Sequence, residues 1–540
     1  MARLNTSFYK ARTEAPLTQV ESAVSYYIFK NSPCEDYNEL IKNDGRHFIK
    51  RAFSDYRQSV LRWYPFKKDS SVLEIGADFG AVTGALCDAC GYVAYVEGSL
   101  FKAQLVSERY CSRENLCVYA GKIEDIKFEK KFDYIVCLEA LGNLSSPLDL
   151  VRTLRSLLAD DGILLLGASN RYGAQFFAGK KDSFSCVPFD GLDNIRSQSN
   201  LECRFDRADM ESLFKKAGFR FWKFYYPTPD HFFPRALYSD QGLPETNVNE
   251  RLLTLHEDMS AFVCDDKSLL VAAARNGAFP FLANDFLVEL SDMENVFSKA
   301  KSMTLNGGYR ARGKAFATII NGDGTVQKKA LYTQGKEYAA RLCNIAETLS
   351  KRGLLILPMR LDGDSVLMDF VKAPTVQNYL RSALDLPDAK ERFLRIFEVL
   401  WNDIMRSSDL SDSCALDTNG LDVGPLLTMA YLEMVTINSF WLDGKIMYFD
   451  QELARENWPA KYVLYRSVNF VYGGISDVDS VLARDELLGM YEISAEMAEL
   501  FNKWESILSE VENPYQNACK TDLSADTVLA NRLKLAGGGA

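Results

Sequence analysis

The chain has 540 residues, enough for two or three domains that each bury a core of their own. A net charge of −11 speaks against a nucleic-acid substrate, whose phosphates demand a basic footprint, and no apolar stretch approaches the length of a membrane span. Twelve cysteines without even spacing and only three histidines suit a reducing compartment such as the cytoplasm better than a disulfide framework or a zinc site.

Residues 1–55 read as a helical N-terminal cap, and 56–275 show the strand-helix alternation of a doubly wound, Rossmann-like α/β sheet. Val72, Leu73 and Ile75 form a buried strand with Glu74 at its ligand end, and it runs into the turn Gly76-Ala77-Asp78-Phe79-Gly80, where glycines let the backbone approach a ligand. A second strand, 92–96, ends in Glu97, placed to accept hydrogen bonds from the hydroxyl pair of a ribose. Dinucleotide sites share this arrangement, so these residues alone specify a nucleotide cradle and no more. The pair Cys87-x-x-Cys90 falls on the following helix and reads as two core thiols. A third strand, 116–119, leads to Gly121-Lys122-Ile123-Glu124-Asp125; a fourth spans 132–139; helix 147–158 and strand 163–166 form a fifth unit, and 268–274 reads as the last strand.

The spacing Glu74-x-Gly76-x-Asp78-x-Gly80 resembles the first motif of class I S-adenosylmethionine (SAM) methyltransferases. The resemblance implies that Glu74, Gly76, Ala77, Asp78 and Gly80 hold SAM, with Glu97 on its ribose and, at its adenine, Ile123 with either Glu124 or Asp125 or no acid, since Lys122 takes the usual acid's place. It also places Glu139, at the carboxyl end of the fourth strand, as a candidate base for the acceptor. Asn170-Arg171-Tyr172-Gly173, Tyr225-Tyr226-Pro227-Thr228-Pro229-Asp230-His231 and Tyr238-Ser239-Asp240 are similar to methyltransferases found with bacterial surface-polysaccharide glycosyltransferases. That implies a glycan, glycan phosphate or small-molecule acceptor and glycosyltransferase partners. The place after the fourth strand reads Cys137-Leu138-Glu139-Ala140, without the Asn/Asp-Pro-Pro-aromatic stretch of base-amino methyltransferases, so a hydroxyl or a phosphate is the expected nucleophile.

A second, α+β domain is expected over 279–475. Strands at 286–290, 315–320 and 326–331, a helix at 336–351 and strands at 354–358 and 365–371 follow the order of a protein-kinase small lobe. Glu433 and Asn438 are spaced like a kinase's catalytic base and metal-binding Asn, and Asp450, beyond a hairpin turning at Asp443-Gly444, stands where the magnesium-binding Asp belongs. Lys329 is placed to hold ATP phosphates, with Glu337 or Glu347 to orient it. The domain resembles the kinase-like domains fused to these methyltransferases, as in the chain-terminating kinase-methyltransferases of O-antigen synthesis; ATP and Mg2+ are what this implies, with Asn438 and Asp450 as metal ligands. Glu433 in place of the usual Asp leaves open an inactive scaffold or acceptor-binding lobe. Residues 476–540 read as C-terminal helices, with helical spacing over 487–511, and a frayed tail.

Overall fold

The computed structural model describes all residues except 1, 11–15, 77, 139, 142–145, 183–185, 193–204, 245–257, 516–522 and 537–540. The chain forms two compact units, Met1–Arg310 with Ala315–Asp323 and Tyr515–Ala540, and Ala311–Lys314 with Gly324–Pro514.

The first unit is built on strands β1 (Arg3–Asn5), β2 (Ser71–Ile75), β3 (Tyr92–Glu97), β4 (Leu116–Ala120), β5 (Phe132–Leu138), β6 (Leu158–Ser169), β7 (Phe221–Thr228), β8 (Ala236–Ser239), β9 (Asp285–Ser291), β10 (Ala300–Leu305) and β11 (Phe316–Asn321). They form one sheet in the order β1-β4-β3-β2-β5-β6-β9-β7-β8-β10-β11. Strands β1 to β6 pair in parallel, with Glu74 opposite Tyr95 on one side and Val136 on the other. Strand β9 runs antiparallel between β6 and β7, and β8, β10 and β11 continue as antiparallel neighbours. The strand order reverses between β2 and β5, which makes the carboxyl ends of these two strands the crevice where an open α/β sheet takes its ligand. Central strands read as near-continuous apolar runs because both faces are covered, one by a core of Leu73, Ile135, Leu150, Leu154, Leu164, Leu166 and Phe214. Helices Gln19–Asn31, Asn38–Asn43 and His47–Phe53 have their own core of Val24, Ile28, Ile41, Ile49 and Phe53.

Residues 268–274 form part of helix Asp266–Arg275, capped by Asp265, and are not a strand. An apolar run carries no period that separates strand from helix, and here its alanines and the cap decide for helix. The sheet is completed by β9 instead, so 286–290 and 315–320, expected in the second domain, belong to the first unit. The chain thus divides at 310–324 where the sequence suggested a break before 279. Helix Ala525–Leu535 also belongs to the first unit, with Asn531 Nδ2 donating to the carbonyls of Met259 and Phe262.

The second unit contains β12 (Thr325–Ala330), β13 (Leu355–Ile356), β14 (Met359–Asp362), β15 (Ser365–Asp369), β16 (Leu410–Ser411), β17 (Leu426–Tyr431), β18 (Ser439–Leu442), β19 (Lys445–Tyr448) and β20 (Ala454–Pro459). Helix Lys336–Lys351 lies where the sequence placed it, as does the β18–β19 hairpin with Asp443 and Gly444 at its turn. Strand β12 pairs with β15 and β15 with β14, both antiparallel. One core joins helices Ala389–Arg406, Ala460–Gly474 and Ala495–Glu512, with Phe393, Phe397, Val463, Phe501 and Trp504 buried in it. Helix Ala495–Glu512 is therefore part of this unit and not a separate tail.

The long connection from β7 to β9 is anchored by Asn284, whose side chain is 1% exposed. Its Nδ2 donates to the Pro229 carbonyl at 2.9 Å and its Oδ1 accepts from the Gln175 backbone N–H at 2.9 Å. Asn284→Ala leaves both groups buried and unsatisfied, which costs about 1–3 kcal/mol for each. A fall in the urea midpoint of the first unit is the expected result, measured by equilibrium denaturation.

Candidate functional site

The turn after β2 is shaped by what Gly76 lacks. Its N–H donates to the Val96 carbonyl at 2.8 Å, and a Cβ at this position would lie 2.9 Å from both Glu97 Oε2 and the Tyr95 hydroxyl. The Glu97 carboxylate thus rests against the turn itself. Its Oε1 accepts the Ser99 N–H at 3.0 Å, and the Glu97 carbonyl accepts the Gly121 N–H at 2.9 Å, which draws in the end of β4. The structure therefore brings Gly76, Gly80, Glu97 and the buried Ile123 to one edge, while Glu124 is exposed. Beside it, Asp125 pairs with Lys10.

Asp78, Phe79 and Gly80 all adopt left-handed backbone, with φ of 45°, 56° and 73°. The Gly80 carbonyl accepts the Tyr110 hydroxyl at 2.7 Å. Asp78 is engaged from the cap: Arg51 Nε donates to both of its carboxylate oxygens at 2.9 Å, and Arg57 Nη2 lies 3.5 Å from Oδ2. Ala77 and Glu139, both named from the sequence, lie outside the described residues.

Glu74 is 1% exposed, accepts the Thr83 hydroxyl at 2.7 Å through Oε2, and at Oε1 has no hydrogen-bond partner among the described residues. Burial pushes its carboxyl up to about 8, against the pull of Thr83, Arg57 and Arg109.

At the carboxyl end of β6, Ser169 stands opposite Asp285, the first residue of β9. Asp285 Oδ2 takes both the His231 Nδ1, at 2.7 Å, and the His231 backbone N–H, at 2.9 Å, in a fully buried pair. Burial works to raise the Asp285 carboxyl, but the charge of His231, its two hydrogen bonds and the charge of Lys180 together hold the group below the ordinary value. Arg57 Nη1 donates to the His231 carbonyl at 3.0 Å, so one guanidinium spans this pair and Asp78. Sequence reasoning missed Arg51, Arg57 and Asp285, because residues 27 to 174 positions apart in the chain carry no local signal of meeting.

In the second unit the structure corrects two assignments, the lysine and the acid beside it. Lys328, not Lys329, faces Asp450 and Glu452: its Nζ pairs with Asp450 Oδ1 and, at 2.7 Å, with Glu452 Oε2. Successive side chains on β12 alternate faces, which sends Lys329 to the other side. Burial works to lower the Lys328 ammonium, but the two carboxylates outweigh it and hold it above the ordinary lysine value. Glu337 and Glu347 are both exposed, and Glu347 pairs with Lys351, so the acid that orients the strand lysine is Glu452. Asn438 Nδ2 donates to Glu433 Oε2 at 2.6 Å, and Arg466 Nη1 lies 3.5 Å from Glu433 Oε1. Asp450, held at φ 56°, follows closely on β19, and the Phe449 N–H donates to the Asn438 carbonyl at 3.0 Å.

Residues 46–223 match a family model described as a methyltransferase domain. The chain is 24% identical over 108 residues to a ubiquinone biosynthesis O-methyltransferase of Haemophilus ducreyi, covering 18% of this chain and 45% of that protein. It is 29% identical over 133 residues to an uncharacterized methyltransferase of Staphylococcus carnosus, covering 24% and 61%. The chain thus spans about half the length of the curated relatives it matches. Among solved structures it is similar to a SAM-dependent methyltransferase of Thermotoga maritima, at 13% identity and TM-score 0.28, covering 50% of this chain and all of that one. It is also similar to the N-methyltransferase NodS of Bradyrhizobium japonicum bound to S-adenosyl-L-homocysteine, at 21% identity and TM-score 0.20, covering 27% and 74%. The crevice at the reversal of strand order, the glycine turn against an acidic strand end and the family match agree: residues 46–223 of this chain are a methyltransferase domain.

Proposed function

We propose that the first unit transfers a methyl group from SAM to an oxygen of a glycan, glycan phosphate or glycan precursor. The observation that carries the cofactor assignment is the Glu97 carboxylate resting on the side-chain-free face of Gly76, at the crevice between β2 and β5. Glu97 accepts the ribose hydroxyls, Gly76 and Gly80 give the backbone access to the amino-acid end, and Ile123 packs at the adenine. SAM supplies an electrophilic methyl on a sulfonium. A sugar hydroxyl attacking in line must lose its proton to a base, for which Glu139 is the residue named from the sequence, whereas a phosphate oxygen needs none. The glycan acceptor is supported by the resemblance carried by Asn170 to Gly173 and Tyr225 to His231, and glycosyltransferases are the partners that resemblance implies.

For the second unit we infer a kinase-like site in which Lys328 holds ATP phosphates, Asp450 and Asn438 bind Mg2+, and Glu433 orients the accepting hydroxyl. The juxtaposition of Lys328 with Asp450, and of Glu433 with Asn438, supports this. A scaffold role is the second reading, favoured by the internal engagement of Glu433 with Asn438 and Arg466.

Three outcomes are expected. Glu97→Ala weakens SAM binding by about 1.5–3 kcal/mol, the worth of charge-assisted hydrogen bonds, and titration calorimetry reads it; no heat with the unsubstituted protein refutes the cofactor assignment. For Glu74 the folded-state value near 8 lies above the ordinary 4.5, so the proton it keeps stabilises the fold fully below about 4.5, and this contribution is lost as pH rises through about 8. Glu74→Gln, permanently neutral, therefore gains thermal midpoint relative to the unsubstituted protein as pH rises over that range; a constant difference contradicts the shift. For the second unit, MgATP raises the thermal midpoint, and Asp450→Asn and Lys328→Ala each abolish the shift, whereas the scaffold reading expects no shift in any of the three.

A further inference from the structure

We propose that the cap helices His47–Phe53 and Asp55–Arg62 are part of the cofactor site, and that Arg51 is a positioning residue which, through Asp78, holds the turn at Asp78, Phe79 and Gly80 in its ligand-binding shape. The inference rests on the reading of that turn as the SAM cradle.

The turn is strained where it matters. Asp78 and Phe79 are not glycines, yet both sit at φ near 50° in sequence before Gly80 at 73°, and such backbone persists only where its surroundings over-determine it. The surroundings that do so come from the cap. Arg51 Nε donates to both Asp78 oxygens at 2.9 Å, and Arg57, with a side chain 1% exposed, lies 3.5 Å from one of them. Both guanidiniums lie over the Phe232 ring, at 3.9 and 4.8 Å, which fixes their planes. Phe79 packs on the cap core of Val24, Ile28, Ile49 and Phe53. Its carbonyl accepts Arg109 Nη1 at 3.0 Å, and the same nitrogen donates to the Ala52 carbonyl at 2.9 Å, tying the turn to the end of helix His47–Phe53.

The chemistry of the ligand gives the pairing a purpose beyond packing. SAM ends in an amino-acid carboxylate, and Asp78 places a second carboxylate in the turn that must approach it. Two guanidiniums on Asp78 cancel that charge and pull its side chain toward the cap. Without Arg51 the turn keeps its strain and its charge is left to the more distant Arg57 alone, 3.5 Å from Oδ2; with glycine at 78 it has neither strain nor charge, and Arg51 has nothing left to position.

The test is a double-mutant cycle read by calorimetric SAM affinity, with thermal midpoints confirming that each variant is folded: the unsubstituted protein, Arg51→Gln, Asp78→Gly and the pair. Arg51→Gln keeps a side chain able to cover Phe232 and removes the charge. It should weaken SAM binding about tenfold, as expected for a lost charge-assisted pair. In the Asp78→Gly background the same substitution should change affinity by less than about twofold. Equal losses in both backgrounds mean that Arg51 serves packing alone and overturn the proposal, as does an Arg51→Gln protein of unchanged affinity. Failure of the unsubstituted protein to bind SAM overturns the cradle assignment itself, and the inference with it.

Discussion

A missing side chain at Gly76 sets the geometry of the whole ligand edge. Neighbouring strands of a sheet lie about 4.8 Å apart, so the carboxylate at the end of one strand reaches over the turn of the next only where that turn carries no Cβ. A Cβ at Gly76 would come within 2.7 Å of the Val96 carbonyl as well as 2.9 Å of Glu97 Oε2. Relief would require moving the end of β3, and the Gly121 N–H bonded to the Glu97 carbonyl would move with it. The turn, Glu97 and the end of β4 are thus one mechanical element, assembled by three parallel strands whose register sets Glu74 opposite Tyr95 and Glu97 opposite Ala120.

Asn170, Tyr225, Tyr226 and Asp240 have a structural role. Tyr226 donates to Asp240 at 2.6 Å with Arg207 joined to both, Tyr225 and Tyr64 donate to the buried Glu289, and Asn170 Nδ2 donates to the carbonyls of Phe281 and Ala283. The bonds of Asn170 and of Tyr226 with Asp240 tie the β7–β9 connection to the sheet, and Glu289 joins β9 to Tyr225 on β7 and to Tyr64. Removing one member of such a pair leaves its partner buried and unpaired.

Much of this was legible in the sequence, and the rest was hidden for identifiable reasons. Strands β2 to β5 announce themselves as short, near-continuous apolar runs, and helix Lys336–Lys351 by apolar residues that repeat at 3.6. The place of β9 does not, since a strand's partners are written elsewhere in the chain; Phe286, Leu287 and Val288 mark it as buried on both faces without naming β6 and β7. Lys328 was one residue from the reading because a one-residue slip on a strand exchanges faces. The signal that finds it is period two: Lys328 shares a face with the buried Ala330, and Lys329 does not. The clamp on Asp78 had no signal at all. Arg51 and Arg57 look like the polar face of cap helices, and only folding shows that this face meets the turn.

A buried lysine between two acids carries its own argument in the second unit. Taking an ammonium out of water is costly, and Lys328 keeps its charge because two carboxylates outweigh that cost. The two are not equivalent. The Asp450 side chain is 35% exposed and that of Glu452 only 8%. A cation arriving from solvent therefore meets Asp450 first, and neutralising Asp450 leaves Lys328 still paired with Glu452. With a single acid the lysine's charge would depend on a partner open to solvent; with two, the lysine stays charged and in place whatever the exposed carboxylate binds, as the proposed phosphate-holding role requires.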